Sequence, residues 1–263
     1  MFRLILWLAC LLPQFLVAQL LYSVTDAPTL GQAGAGVAAT GIPALWLNPA
    51  GIAVGQRLGF GATLTQRYGL GELTTASGGV VYRGFGLQVA TLGYGDYRAS
   101  RFGVVYARQL SDRWRIGAEL VLLRELILGY GGGTQLMPAL GVQYTAGRGI
   151  TLGVTVKNPT GASDTNTRIG VGCSYMLSEY VSLLADAQIH LQARVISHLG
   201  IAYSPVTAIR LHFGYASNPG TLAVGATYRF AGDFSVAVAG SHHTQLGSVA
   251  GAGVYRSPLA PVR

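Results

Sequence analysis

The feature that most constrains this chain is a period-two alternation that starts near residue 57 and runs almost to the C-terminus. From Val181 to Leu191, the residues Val181, Leu183, Ala185, Ala187, Ile189 and Leu191 share one face. Ser182, Asp186, Gln188 and His190 take the other, with Leu184 the exception. Ile209, Leu211, Phe213 and Tyr215 oppose Arg210, His212 and Gly214 in the same way, and Leu222, Val224, Ala226, Tyr228 and Phe230 oppose Thr221, Gly225, Thr227 and Arg229. Successive side chains of a strand point to opposite faces, so each segment reads as a strand with one apolar side.

Short turns separate the segments, among them Gly84, Gly95-Asp96, Ser111-Asp112, Ser217-Asn218-Pro219-Gly220 and Ala231-Gly232-Asp233. The pattern predicts strands at 57–68, 73–83, 85–94, 97–110, 114–125, 134–145, 150–157, 166–176, 180–191, 193–203, 207–216, 221–230, 234–243 and 247–256. Gly129–Gly133 and Asn158–Asp164 read as the longest irregular stretches.

A soluble sandwich alternates too, so composition has to decide what meets the apolar face. Half of the residues are hydrophobic, 11% are charged, and mean hydropathy is +0.41. Past residue 20 no apolar run reaches the ~18 residues expected of a membrane helix. A closed barrel is the remaining way to satisfy every backbone group in lipid. The expected fold is therefore all-β, a transmembrane antiparallel barrel of about fourteen strands.

The N-terminus carries Arg3, an apolar run from Leu4 to Leu12, and Phe15-Leu16-Val17-Ala18 before Gln19, the pattern of a secretory signal cut after Ala18. The expected organisation is a signal peptide at 1–18, a Gly/Ala-rich segment without alternation at 19–54, a barrel at 55–256 and a tail at 257–263. Such a chain belongs in the outer membrane of a Gram-negative bacterium, with its lipids as first partners. Cys10 leaves with the signal, so Cys173 has no intramolecular disulfide partner.

The formal charge is +8, and Lys157 is the sole lysine. The arginines are scattered singly, which argues against nucleic acid as a partner. Arg57, Arg67, Arg83, Arg101, Arg115, Arg168, Arg194, Arg210 and Arg229 fall on the face opposite the apolar residues, with Glu119 and Asp186 as acids. If that face lines a lumen it is basic, and anions or an acidic peptide would be favoured there. The same face carries Gly59, Gly61, Gly103, Gly117, Gly141, Gly170 and Gly172, which leave room for something to pack on the wall. Tyr68, Tyr82, Tyr94, Trp114, Tyr144, Tyr175, Tyr203, Tyr215 and Tyr255 at segment ends suit interfacial girdles.

No catalytic residue, metal ligand set or cofactor motif is expected. Ser182, Asp186 and His190 share a face, but residues four apart on a strand are ~13 Å from each other. His242 and His243 point to opposite faces, and Gly131-Gly132-Gly133 lacks the Lys and Ser/Thr of a phosphate loop.

The stretch Leu30-Gly31-Gln32-Ala33-Gly34-Ala35-Gly36-Val37-Ala38, followed by Ala44-Leu45-Trp46-Leu47-Asn48-Pro49-Ala50-Gly51, resembles the N-terminal motif of the PorV/PorQ and FadL-type outer-membrane proteins. The resemblance implies a fourteen-stranded barrel whose N-terminal segment folds inside as a hatch, with Asn48, Pro49, Ala50 and Gly51 as the plug motif. It implies a non-enzymatic PorV-like role first, as a docking component of protein secretion and surface attachment with secretion-machinery or secreted proteins as partners. The alternative is a FadL-like passage for small hydrophobic molecules, and a third, lesser reading is an outer-membrane hydrolase. Physically, Asn48-Pro49-Ala50-Gly51 reads as a tight turn, with Pro49 fixing φ and Gly51 permitting positive φ.

Overall fold

A computed structural model of the chain describes residues 24–54, 58–147, 149–159, 167–190 and 195–257. The expected signal peptide, Arg57, Arg194 and nearly all of the expected tail lie outside these residues.

The strands are β1 (Gly59–Arg67), β2 (Leu70–Tyr82), β3 (Phe85–Tyr94), β4 (Tyr97–Gln109), β5 (Trp114–Ile127), β6 (Gly131–Gly147) and β7 (Ile150–Lys157). The second half holds β8 (Arg168–Met176), β9 (Val181–His190), β10 (Ile196–Val206), β11 (Ile209–Ala216), β12 (Thr221–Phe230), β13 (Phe234–His243) and β14 (Gly247–Arg256). Each is antiparallel to its sequence neighbours, and β1 closes on β14 from Phe60↔Arg256 to Arg67↔Val249, so the fourteen strands form a closed barrel. Closure removes the sheet edges that would otherwise need pairing.

Burial alternates along the strands as the sequence pattern requires. In β1, Gly59, Gly61, Thr63 and Thr65 are buried, while Phe60, Ala62 and Leu64 are exposed. The outward positions carry large apolar side chains around the ring, with Leu64 60%, Leu136 57%, Leu222 68% and Val238 60% exposed. So continuous an apolar outer surface needs a nonaqueous surrounding. Among the described residues no helix is long and apolar enough to cross a membrane.

Two expectations are corrected at strand ends. Gly131–Gly133, read as a turn, belong to β6 and pair with Ile127, Leu126 and Glu125. Glycine backbones complete a ladder without leaving an alternation to read. Arg83 sits in the β2–β3 turn at φ 49° and is exposed, outside the lumen wall.

At the far end, away from the start of β1 and the finish of β14, β6 pairs with β5 from Gly131 onward but with β7 only from Ala139, so β4–β6 stand higher than β7–β10.

Residues 24–54 form two short helices, α1 (Ala27–Gly31) and α2 (Ala44–Leu47), and a 3-10 helix at Pro49–Val54. Asp26 caps α1 by accepting from Thr29 N at 2.8 Å, and Pro28 sits in the first turn, where a missing N–H is harmless. Helix α1 lies against β11–β14 and the 3-10 helix against β3–β6. The contacts fall on the inward face of the wall.

Candidate functional site

Irregular backbone inside a barrel needs partners for its N–H and C=O groups. The wall supplies them from six inward side chains. Gln88 Nε2 donates to Leu45 O at 3.2 Å, and Gln143 Nε2 to Ala39 O at 2.8 Å and Val37 O at 3.3 Å. Lys157 Nζ donates to Trp46 O at 2.5 Å, and the Tyr255 hydroxyl accepts from Ala27 N at 2.9 Å. One carboxylate oxygen of Asp186 accepts from both Gly36 N (2.5 Å) and Val37 N (2.9 Å). His198 Nδ1 lies 2.7 Å from Ala33 O, which requires the proton on Nδ1. Tyr255, expected in an outer girdle, is therefore an inward residue, 5% exposed.

The Asn-Pro-Ala-Gly turn meets the wall at β6 and β7. Fully buried Asn48 donates from Nδ2 to Val37 O at 2.8 Å and lies 3.3 Å from both Val142 O and Val154 O. Its Oδ1 accepts from Ala50 N at 3.1 Å, which closes the turn. Pro49 and Ala50 lie over Gly117, where an added Cβ would come within 2.5 Å of Pro49 C. Gly51 does not adopt positive φ; a Cβ there would meet Ala39 O at 2.3 Å, so close approach is what requires glycine.

The inward glycines serve the same contact. A Cβ at Gly141 would meet Asn48 Oδ1 at 2.0 Å, at Gly170 Val37 Cγ2 at 3.2 Å, and at Gly172 Asp186 Oδ1 at 2.0 Å. At Gly153 and Gly214, which the sequence pattern did not single out, an added Cβ would come within 2.4 Å of Val37 O and 2.2 Å of Gln32 C. Gly61 and Gly103 instead make room for the Tyr255 ring and the Gln88 side chain.

The arginines divide by depth. Arg101 is buried, pairs with Glu119 at 2.8 Å, and lies 5.8 Å from the Trp46 ring centroid; Glu119 also accepts from Gln88 Nε2 at 2.5 Å. Arg115 donates to Thr145 Oγ1 at 2.7 Å. Arg210 and Arg229 face inward near the end that carries the termini and are exposed. Arg168 lies at the far end, facing a cavity, and Arg194 falls outside the described residues.

That cavity, about 330 Å³, lies between residues 24–54 and β7–β10. Val24, Val37, Trp46, Leu47, Ile169 and Ile196 make its apolar lining. Lys157, Arg168, Gln188, His190 and His198 supply the polar side. Lys157 is opposite Arg168, and Arg168 is opposite His190, so three basic side chains form one cross-strand row.

Of the groups weighed for catalysis, Asp186 is occupied otherwise. Asp186 is opposite His198 across β9–β10, but both side chains hold backbone groups of residues 33–37. His212 Nε2 lies 2.9 Å from Thr227 Oγ1. Among the described residues no group of His, Cys, Asp and Glu could hold a metal ion.

Asp26 carries a pH dependence. Its Oδ2 is buried without a hydrogen-bond partner, and burial pushes its carboxyl above the ordinary carboxylate value. The stability it contributes is full below about pH 4, where the unfolded group is protonated too, and is lost as pH rises through the raised folded value. Asp26→Asn keeps the Oδ1 cap without the buried charge. The variant should melt higher than the parent at pH 8, with the gap closing toward pH 4. Equal melting temperatures at both pH values would show that the carboxyl is not desolvated.

No protein-family model matches the chain, and no curated protein matches it in sequence. Solved structures do match. The Ralstonia pickettii toluene transporter TbuX superposes with a TM-score of 0.70 at 14% identity, covering 90% of this chain and 99% of that one. The CymD monoaromatic hydrocarbon channel gives 0.68 at 14% identity, covering 89% and 97%. A Pseudomonas aeruginosa FadL homologue gives 0.58 at 12% identity, covering 88% and 98%. The fold is that of the FadL-like outer-membrane barrels. The PorV/PorQ half of the resemblance gains no support from these matches.

Proposed function

We propose that the protein is a non-enzymatic channel of a Gram-negative outer membrane that passes small hydrophobic molecules. Residues 24–54 act as its internal plug, held by the Asn48-Pro49-Ala50-Gly51 turn. The observation that carries this reading is the cavity of about 330 Å³ between the apolar side chains of that segment and the wall. Its size and mixed lining suit a ligand-binding pocket for a small molecule. The transporters and channels of similar fold support passage over the secretion-docking role that the motif alone put first.

The basic row adds a preference within this class. Lys157, Arg168 and His190 face the cavity from its polar side, so a hydrophobic molecule with an anionic group fits better than the bare hydrocarbon.

Trp46 lines the cavity and reports on its occupancy. In a Trp114→Phe background, titration of the purified protein with toluene and with benzoate should give saturable changes in Trp46 emission. Benzoate should bind more tightly. Arg168→Met should weaken benzoate by about tenfold and leave toluene nearly unchanged, because charge-assisted hydrogen bonds are lost. A linear response to both ligands, with an exported protein co-purifying in stoichiometric amount, would replace passage by docking.

A further inference from the structure

The outer surface of the barrel differs between its two ends. Toward the termini it is aromatic: Phe85 lies 5.0 Å from Tyr106, Trp114 4.6 Å from Tyr144, and Phe60 6.2 Å from Phe234 by ring centroids. Toward the far end, β3–β6 change character row by row. One outward row, Val89↔Phe102↔Leu122↔Leu136, is wholly apolar and exposed. The next row outward is Thr91↔Ser100↔Arg124↔Thr134, and the one beyond it is Gly93↔Arg98↔Leu126↔Gly132.

Arg124 is ten positions along β5 from Trp114 on the same face, with Ile116, Ala118, Leu120 and Leu122 between them. At about 3.4 Å per residue and a tilt of about 40°, that is a rise of about 25 Å, the height of a barrel's apolar band. Trp114 and Arg124 therefore mark its two borders. Arg98 and Arg124 are diagonal neighbours on adjacent strands, with Cα atoms about 7–8 Å apart. Gly93 and Gly132 leave their row open at both sides, and Ser100 and Thr134 flank Arg124 with hydroxyls.

Among the described residues neither guanidinium is paired with a carboxylate. The acidic residues nearest in the chain are Asp96 in the β3–β4 turn and Glu125, which faces inward and accepts from the Tyr97 hydroxyl at 3.1 Å. Two cations at the edge of an apolar band, with hydroxyls beside them and a flat apolar row below, match a phosphate group attached to acyl chains.

We infer that Arg98 and Arg124 form a binding site for the phosphates of a phosphorylated, multiply acylated glycolipid of the outer leaflet. Its sugar and phosphate oxygens meet Ser100 and Thr134, and its acyl chains lie along Val89, Phe102, Leu122 and Leu136. The site is on the outside of the barrel and is independent of what passes through the lumen.

The test is native mass spectrometry of the purified full chain in detergent, titrated with diphosphorylated lipid A and with its dephosphorylated form. A one-to-one adduct is expected with the phosphorylated lipid alone, and millimolar inorganic phosphate should not displace it. Arg98→Ser with Arg124→Ser should weaken the adduct by about tenfold or more, whereas Arg108→Ser with Arg113→Ser at the opposite end should leave it unchanged. If the double variant does not fold, as judged by a lost heat-dependent gel shift, Arg98→Gln and Arg124→Gln singly should each still weaken it. Undiminished binding in these variants overturns the proposal, as does equal loss in the control pair or displacement by free phosphate. Loss of a co-purifying protein with lipid binding intact would reassign the surface to a protein partner.

Discussion

Asp186→Ala should release the amides of Gly36 and Val37 from the wall and turn a closed barrel into a conducting one. One carboxylate oxygen holds two consecutive backbone N–H groups, those of Gly36 and Val37, at 2.5 and 2.9 Å. Hydrogen bonds to a charged group contribute about 1.5–3 kcal/mol each, so their joint loss is on the order of 3–6 kcal/mol, concentrated on one short stretch. The β8–β9–β10 ladder does not depend on that side chain, because its bonds run between backbones.

The expected result is therefore local. Hydrogen exchange at Gly36 and Val37 should accelerate by two or more orders of magnitude while amides of β9 keep their protection. Planar-bilayer recordings should show ion conductance absent from the parent. Asp186→Asn retains one acceptor and should fall between the two. Faster exchange without conductance would mean that residues 24–54 are not what closes the lumen, and unchanged exchange would mean that Asp186 does not hold them.

Asp186 also shows where reading the sequence stops. Its place on the lumen side followed from alternation, and all fourteen strands were legible in the same way, because a lipid-facing side must be apolar at every second residue. The partners of Asp186 were not legible. They are backbone amides 149 and 150 residues away, and amides leave no mark in a sequence. The same holds for Asn48: a turn role could be read from Asn-Pro-Ala-Gly, but Val142 O and Val154 O could not. Tyr255 was misplaced for a different reason. Its position near a strand end suggested a girdle, whereas its parity with buried Val249 and Gly251 points it inward. Arg98 and Arg124 were overlooked although a signal existed for Arg124, a charge on the otherwise apolar parity of β5, whereas Arg98 shares its parity with Ser100 and Arg108. The choice between docking and passage was beyond the motif, which PorV/PorQ and FadL-type proteins share; it took a cavity and a fold comparison to favour one.

Gly141→Val should have a large effect for a single side-chain addition to the wall. Valine suits a strand, so the backbone of β6 has no reason to object. What objects is the turn above it, because a Cβ at residue 141 would lie 2.0 Å from Asn48 Oδ1 and 2.9 Å from Pro49 Cδ. The wall cannot yield, since Gly141 is paired with Gly117 on one side and Thr155 on the other. Overpacking costs about 1–3 kcal/mol, and displacing Asn48 forfeits its bond to Val37 O as well, so the turn lifts while the strand ladder stays intact. Expected observations are persistent conductance and a red shift of Trp46 emission in the Trp114→Phe background. Gly133→Val is the matched control, on the same strand, with nothing within 4 Å of its added Cβ. If the clash with Asn48 is the cause, Asn48→Ala and Gly141→Val must be non-additive, with a coupling of about 0.5–3 kcal/mol in a double-mutant cycle read by thermal melting. Strict additivity would assign the effect of Gly141→Val to the strand itself and leave the Asn-Pro-Ala-Gly turn as a fold detail with no part in closing the lumen.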